Sequence, residues 1–245
     1  MKNLIIGTRG SNLALAQAEH IKSRLEKMGL EIELKIIKTS GDINQSTFNE
    51  IPLKKLFVKE IEEELLANKI DLAVHSMKDM PYDEVEGLIM GAYPEREDPR
   101  DALIVHNEIK IIGTGSERRR VQLEALYENI EVRPIRGNVD TRILKLHNGD
   151  YDAIVLAAAG LNRLGLDNMI SRYFEVDEMV PSPCQGVLGI QCREDDEFVR
   201  RILDLIDNKE LRKVVELERL FGKIHNGGCK SPIGAYAEIN GDIAS

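Results

Sequence analysis

Tryptophan is absent from this chain, and phenylalanine and tyrosine together make up only 4% of its 245 residues. So few rings leave little from which to build a base-stacking platform, which argues against single-stranded nucleic acid as a partner. Positive charge is short as well. Lys and Arg number 33 against 42 Asp and Glu, a net charge of −9, the opposite of the basic surface that nucleic-acid backbones require. Cysteine is rare and odd in number: Cys184, Cys192 and Cys229 form no C-x-x-C pair, which speaks against a disulfide framework and for a reducing cytoplasm. The five histidines show no ligand spacing, so no metal centre is expected. No apolar run approaches the roughly 20 residues of a membrane-spanning helix. The three apolar residues before Gly7 in "MKNLIIGTRG" are too few for a signal-peptide core. The expectation is a soluble cytoplasmic α/β protein, long enough for two or three small domains, with 42% apolar residues to fill their cores.

What is present repeats. "NLIIGTRGSNLALAQAEHIKSRLEKMG" reads as a strand, a glycine-containing turn and an amphipathic helix closed by Gly29. "IKIIGTGSERRRVQLEALYENI" follows the same plan, down to Ile-Ile-Gly-Thr at the strand end. "IELKIIKTSGD" and "IEVRPIRGNVD" begin alike and end in polar turns with Asp42 and Asp140, and "NKIDLAVHSM" and "NGDYDAIVLA" each set an aspartate just before an apolar strand. Matched segments in the same order predict two similar βαβ-rich domains facing each other across a cleft, lined by loops at the strand carboxyl ends. "AYPEREDPRDA" and "EMVPSPCQGVLGIQCREDD" have the character of domain crossings. The helix "ELRKVVELERLFGKI" then leads into "HNGGCKSPIG", a glycine-rich loop that holds Cys229 on a tight turn and opens a third, small unit.

Arginine is concentrated where a helix dipole disfavours it. Arg118, Arg119 and Arg120 fall in the first turn of a predicted helix, where each exposed cation costs about 0.3–1 kcal/mol. An anion seated on the free N–H groups of the helix start reverses that sign. Arg9 with Ser11 holds the equivalent turn in the first half, Arg136 and Arg142 flank another helix start, and Arg163 follows the strand end at "AAAGLNR". Guanidinium forks carboxylates, so the pattern points to a polyanion. Phosphate is the rival, although "GTGSER" lacks both the third glycine of a dinucleotide fingerprint and the lysine of a P-loop. In "VHSMKDMP", Lys78 and Asp79 follow a strand, and Pro81 biases Met80 towards an extended backbone. An aspartate among so many cations can hold a positive centre or move a proton. His75, one strand residue among apolar neighbours, reads as structural.

The segments "GTRGSNLALAQA", "VHSMKDMP", "GTGSERRR", "RGNVDTR", "AAAGLNRLG", "QGVLGIQCR" and "NGGCKSPIGAYA" together make the chain similar, along nearly its whole length, to the porphobilinogen deaminase (hydroxymethylbilane synthase) family. The resemblance implies an α/β fold of two type II periplasmic-binding-protein-like domains with a crossing chain, plus a small, abbreviated C-terminal α/β domain. In this numbering that places domain 1 at 1–94 and 183–206, domain 2 at 95–182, and domain 3 at 207–245. It implies a transferase of tetrapyrrole (heme) biosynthesis that condenses four porphobilinogen molecules head to tail, with loss of ammonia, into hydroxymethylbilane. The implied cofactor is a dipyrromethane joined through a thioether to Cys229. Lys78, Asp79, Ser116, Arg118 and Arg119 would hold it, and Arg9, Ser11, Arg136, Arg142, Arg163 and Gln185 would bind substrate and the growing chain. Asp79 would be catalytic, contacting pyrrole N–H groups and steadying the azafulvene cation left when ammonia departs. No metal, nucleic acid or membrane partner is implied, and a monomer is expected.

Four departures from the family pattern stand out. The chain reads "PLKKLFVKE" where glycines commonly precede "LFVKE" in a flexible segment over the active site. Cys184 precedes Gln185-Gly186 where glycine is usual, and Gly115 stands in place of a common serine. The sequence given stops soon after "PIGAYAEI", whence the expectation of an abbreviated third domain. Two other readings accompany the main one: a noncatalytic anion-binding protein of solute-binding architecture, and a degenerate deaminase.

Overall fold

The computed structural model describes residues 3–39, 58–225, 231–240 and 243–244. Asp42, residues 52–57 of the "PLKKLFVKE" stretch and Cys229 lie outside them. The chain divides into two bodies, one of Met1–Arg96 with Val187–Lys213 and one of Glu97–Gly186 with Val214–Ser245.

The first body opens with β1 (Asn3–Thr8), α1 (Asn12–Glu26), β2 (Glu31–Ile36), α2 (Lys59–Leu66), β3 (Leu72–Ser76) and β4 (Leu88–Ala92). The chain then enters the second body as β5 (Asp101–Val105), β6 (Ile111–Gly113), α3 (Glu117–Leu126), β7 (Glu131–Arg133), α4 (Val139–His147), β8 (Ala153–Ala157), α5 (Ala158–Arg163) and β9 (Arg172–Phe174). It returns to the first as β10 (Leu188–Arg193) and α6 (Glu197–Asp204). Helix α7 (Lys209–Ile224) runs on into the second body, and the two-residue strands β11 (Ile239–Asn240) and β12 (Ile243–Ala244) pair antiparallel.

Each body is built on a five-stranded mixed sheet, ordered β2-β1-β3-β10-β4 in one and β7-β6-β8-β5-β9 in the other. The two orders are the same once each strand is matched to its counterpart. Three parallel strands are followed by one antiparallel strand that reaches the sheet across a chain crossing, β10 in the first and β5 in the second. The duplication expected from the sequence is present: two α/β bodies share one strand order, and the chain crosses from the first to the second and back.

The paired aspartates of the repeat have the same function in both bodies. Asp71, just before β3, accepts the Ile5 N–H through Oδ2 at 2.9 Å and donates its own N–H to Ile5 O at 2.9 Å. Asp152, just before β8, accepts the Ile111 N–H at 2.8 Å and donates to Ile111 O at 3.0 Å. Each carboxylate thus satisfies a backbone donor that the parallel ladder leaves open at its start.

The sheets are covered on both faces, so their strands are near-continuously apolar. In β5 and β8, Ala102, Ile104, Ile154 and Leu156 fill one face while Leu103, Ala153 and Val155 fill the other, the period of two that a pleated strand imposes. In the first body Leu4, Ile6, Ile21, Leu25, Leu72, Leu188 and Leu203 share one core. Each such side chain contributes about 1.5–3 kcal/mol when fully buried.

Candidate active site

The parallel strands of each sheet end in the loops that the sequence marks as functional. At the end of β1, Ser11 caps α1, its hydroxyl accepting the Ala14 N–H at 3.3 Å; Arg9 is half-buried in the same turn. β3 runs parallel beside β1 and ends in a single 3-10 turn, Met77–Asp79. Met77 and Met80, both buried, anchor this turn from either side, and Met77 N–H donates to Val187 O at 3.0 Å. Met80 is extended, with φ −73° and ψ 138°, as Pro81 requires. Between these two anchors Lys78 is half-buried and Asp79 exposed. A carboxylate held at a strand end by flanking apolar anchors has a fixed position and free access.

In the second body the arginines converge on a residue that sequence reading did not select. Asp101, the first residue of β5, is fully buried. Arg118 Nη2 lies 2.7 Å from its Oδ2, and Arg119 donates to its Oδ1 from Nε at 3.0 Å and Nη2 at 2.7 Å. Gln185 Nε2 donates to the same Oδ1 at 2.9 Å and to Pro99 O at 2.7 Å. Two further guanidinium nitrogens reach backbone, Arg119 Nη1 to Val155 O at 3.1 Å and Arg118 Nη1 to Val180 O at 2.6 Å. Burial by itself would raise the Asp101 carboxyl, but the charges of Arg119 and Arg118 outweigh it and hold it at about 2. Burial in turn pulls the Arg118 guanidinium down from its ordinary value against the attraction of Asp101. Two guanidiniums facing one carboxylate leave the cluster net positive at the N-terminus of α3, a setting that favours a further anion.

The chain leaving the cysteine loop runs past this cluster. Ala235 N–H donates to Pro181 O at 2.9 Å. A Cβ at Gly234 would lie 2.8 Å from Val180 O and 3.0 Å from Pro181 O, so only glycine allows this approach. Arg118 and Gly234 therefore meet the same short stretch of backbone. Gly115, the departure from serine, has an equally local reason: a Cβ there would lie 2.7 Å from Ile135 O.

The other selected residues stand at neighbouring loop ends of the second body. Ser116 precedes α3 as its N-cap residue, with no side-chain cap bond, and its N–H donates to Thr114 Oγ1 at 3.2 Å. Arg142 donates to Gly137 O at 2.8 Å, and Arg163 to Gly186 O at 2.8 Å. Arg136 is exposed, its carbonyl accepting from Lys145 Nζ at 3.2 Å. Arg120, third in the arginine run, pairs along the helix surface with Glu117 and Glu124.

Two of the three thiols are unsuited to chemistry. Cys192 is fully buried, and burial, with the charge of Asp196, pushes its thiol up to about 11. Cys184 is 1% exposed and its Sγ faces Val215 O at 3.7 Å. Access, which a reactive cysteine requires, is withheld from both, and thiolate character from Cys192 as well. His75 is structural: its Nε2 lies 3.0 Å from Gln191 Oε1, and burial lowers its pKa to about 4. Among the described residues no group of His, Cys, Asp and Glu is placed to hold a metal ion, and no helix is long and apolar enough to cross a membrane.

Asp101 is the site-forming residue that sequence reading missed. Asp101 opens the apolar strand "DALIV" behind the charged run "PEREDPR", and an acidic residue starting a buried strand is the one signal it carries. Its partners are 17 or more residues away, beyond any local periodicity.

Residues 4–201 match the family model described as porphobilinogen deaminase, dipyromethane cofactor binding domain. Among curated relatives, the porphobilinogen deaminase of Fusobacterium nucleatum is 49% identical, the match covering 98% of this chain and 85% of that one. That of Oceanobacillus iheyensis is 46% identical over 99% of this chain and 82% of its own. That of Staphylococcus carnosus is 44% identical over 98% and 82%. Among solved structures, an ABC transporter protein from Parabacteroides distasonis aligns over 94% of this chain and 80% of that one, with a TM-score of 0.49 and 12% identity. A Salmonella typhimurium periplasmic binding protein described as highly arginine-specific aligns over 91% and 99%, with a TM-score of 0.47 and 13% identity. The match to the family model and the identity to full relatives place this chain in the porphobilinogen deaminase family.

Proposed function

We propose that this chain condenses four porphobilinogen molecules head to tail, releasing four ammonia molecules, and frees hydroxymethylbilane with uptake of one water. The observation that carries this reading, beyond family membership, is the buried Arg118–Arg119 pair on a single Asp101 carboxylate, beside the backbone that leaves the Cys229 loop. A dipyrromethane bears acetate and propionate groups, and a cluster with surplus positive charge fits that acidity. When bound through Cys229, the group supplies the pyrrole end from which the chain grows. The exclusion of Cys184 and Cys192 by burial supports Cys229 as its point of attachment.

The chain's own residues then divide the work. Lys78, Ser116, Arg118 and Arg119 hold carboxylates of the cofactor. Arg9, Ser11, Arg136, Arg142, Arg163 and Gln185 serve incoming substrate and the elongating chain. Gln185 does so indirectly, since its amide is engaged with Asp101 and Pro99. Asp79 is the catalytic residue. Its exposed carboxylate accepts pyrrole N–H bonds, steadies the cation formed as porphobilinogen loses ammonia, and takes part in the proton transfer that restores aromaticity. Residues 207–245 act as the cofactor-carrying domain, and the protein works as a cytoplasmic monomer without nucleic acid.

Intact-protein mass spectrometry tests the reading. The wild type is expected to carry a dipyrromethane adduct and to turn over porphobilinogen, while Cys229→Ser folds without the adduct, a hydroxyl being a far poorer nucleophile than a thiolate. An adduct without turnover would indicate a degenerate deaminase. No adduct and no turnover would leave an anion-binding protein.

A further inference from the structure

Helix α7 carries a buried acid that the proposed chemistry does not use. Glu218 is 2% exposed, and a carboxylate is kept so far from water only where it is well hydrogen-bonded. Its two oxygens accept from two backbone segments distant in sequence. Oε2 takes the Cys184 N–H at 2.5 Å, and Oε1 takes the Ala237 N–H at 2.8 Å.

Both segments bear on the site. Cys184 sits at φ +60°, a left-handed conformation that is costly for a residue with a side chain. The following residue is Gln185, whose amide donates to Asp101 beneath the two arginines. A charge-assisted bond from the Cys184 N–H is well placed to hold that strained turn. Ala237 lies three residues past Gly234, whose backbone abuts Val180 and Pro181. Glu218 itself stands on the helix that runs down to Ile224 and into the cysteine loop. One carboxylate thus ties together the helix that precedes residues 226–230, the extended segment that follows them, and the turn that braces the arginine cluster.

We propose that Glu218 is a positioning residue that holds the segments on either side of residues 226–230 against the turn bracing the Asp101–Arg118–Arg119 cluster, through its paired bonds to the Cys184 and Ala237 amides. This rests on the cofactor reading above. It differs from a space-filling role in the order of two substitutions. Glu218→Gln keeps the shape but turns an N–H₂ donor towards one of the two amide donors. Glu218→Asp keeps both acceptor oxygens on a shorter stem.

The experiment compares wild type, Glu218→Gln and Glu218→Asp by amide hydrogen exchange and by the fraction of chains carrying the adduct. In Glu218→Gln the Cys184 and Ala237 amides are expected to exchange roughly 10- to 100-fold faster, the factor that loss of a charge-assisted hydrogen bond gives. The Ile112 and Val155 amides of the sheet core should keep their wild-type protection, which shows that the variant is folded. The adduct-bearing fraction should fall in the order Glu, Asp, Gln, while kcat per loaded chain stays near that of the wild type. Loading in Glu218→Gln equal to wild type, or lower in Glu218→Asp than in Glu218→Gln, would overturn the positioning role. A wild type that carries no adduct would instead overturn the cofactor reading itself.

Discussion

Replacing Asp101 by asparagine keeps the shape of the side chain and removes the one charge that two buried arginines share. The carboxyl is fully buried and held at about 2 against an ordinary 3.8. That difference corresponds to about 2 kcal/mol in favour of the ionised form. Asparagine also turns an amide donor towards a guanidinium, and it leaves both guanidiniums buried without a counter-charge. Removing one partner of a buried ion pair costs about 3–5 kcal/mol. Urea denaturation of Asp101→Asn should therefore show a loss in that range. Asp98→Asn, which weakens the half-buried pair with Arg100 but keeps an oxygen to accept the Arg100 N–H, should lose about 1 kcal/mol or less. The pH dependence follows from the direction of the shift. A carboxyl whose pKa is lowered on folding contributes stability that is fully present above its unfolded value. That contribution is lost as pH falls through the folded one. The gap between wild type and Asp101→Asn should be constant above about pH 4 and shrink towards pH 2. A gap below about 1 kcal/mol at neutral pH, or one unchanged down to pH 2, would refute the ion-triad reading.

Two further outcomes are expected. His75 has its pKa lowered to about 4 by burial from an ordinary 6.5, so the unfolded chain binds the extra proton first between these values. Stability should then drop by about 3 kcal/mol as pH falls from 6.5 to 4, and His75→Gln should flatten that slope in urea titrations at stepped pH. Asp79→Asn, assayed on protein whose adduct is verified by mass, should retain cofactor but release ammonia roughly 100- to 1000-fold more slowly in a single turnover, the usual effect of losing one positioned electrostatic group. A wild-type rate would remove Asp79 from the chemistry.

Much of the architecture was legible in the sequence because it is local. The repeated strand, glycine turn and helix follow from apolar periodicity and turn residues within about 25 positions, and the structure shows them as β1–α1 and β6–α3. The aspartates before β3 and β8 were readable as a recurring pattern, and their bonds to Ile5 and Ile111 give that pattern its reason. Ser11 at a helix start and Pro81 after Met80 carry conformational preferences that need no distant partner.

What only the tertiary structure decided depends on residues far apart along the chain. Sequence placed Arg118 and Arg119 at a helix N-terminus and inferred an anion there. It had no means of showing that Asp101, on a strand 17 residues earlier, already neutralises part of that charge. Glu218 was one acid among many on an amphipathic helix until folding set its carboxylate between the Cys184 and Ala237 amides, 34 and 19 residues away. The crossings themselves were legible as charged, proline-bearing segments, but the antiparallel place of β10 beside β3 and of β5 beside β8 is encoded by no periodicity. Local propensity acts through neighbouring dihedrals and side chains. Charge compensation and strand pairing order arise only when separate segments are brought within hydrogen-bonding distance and water is excluded, and that is decided by the packing of the whole chain.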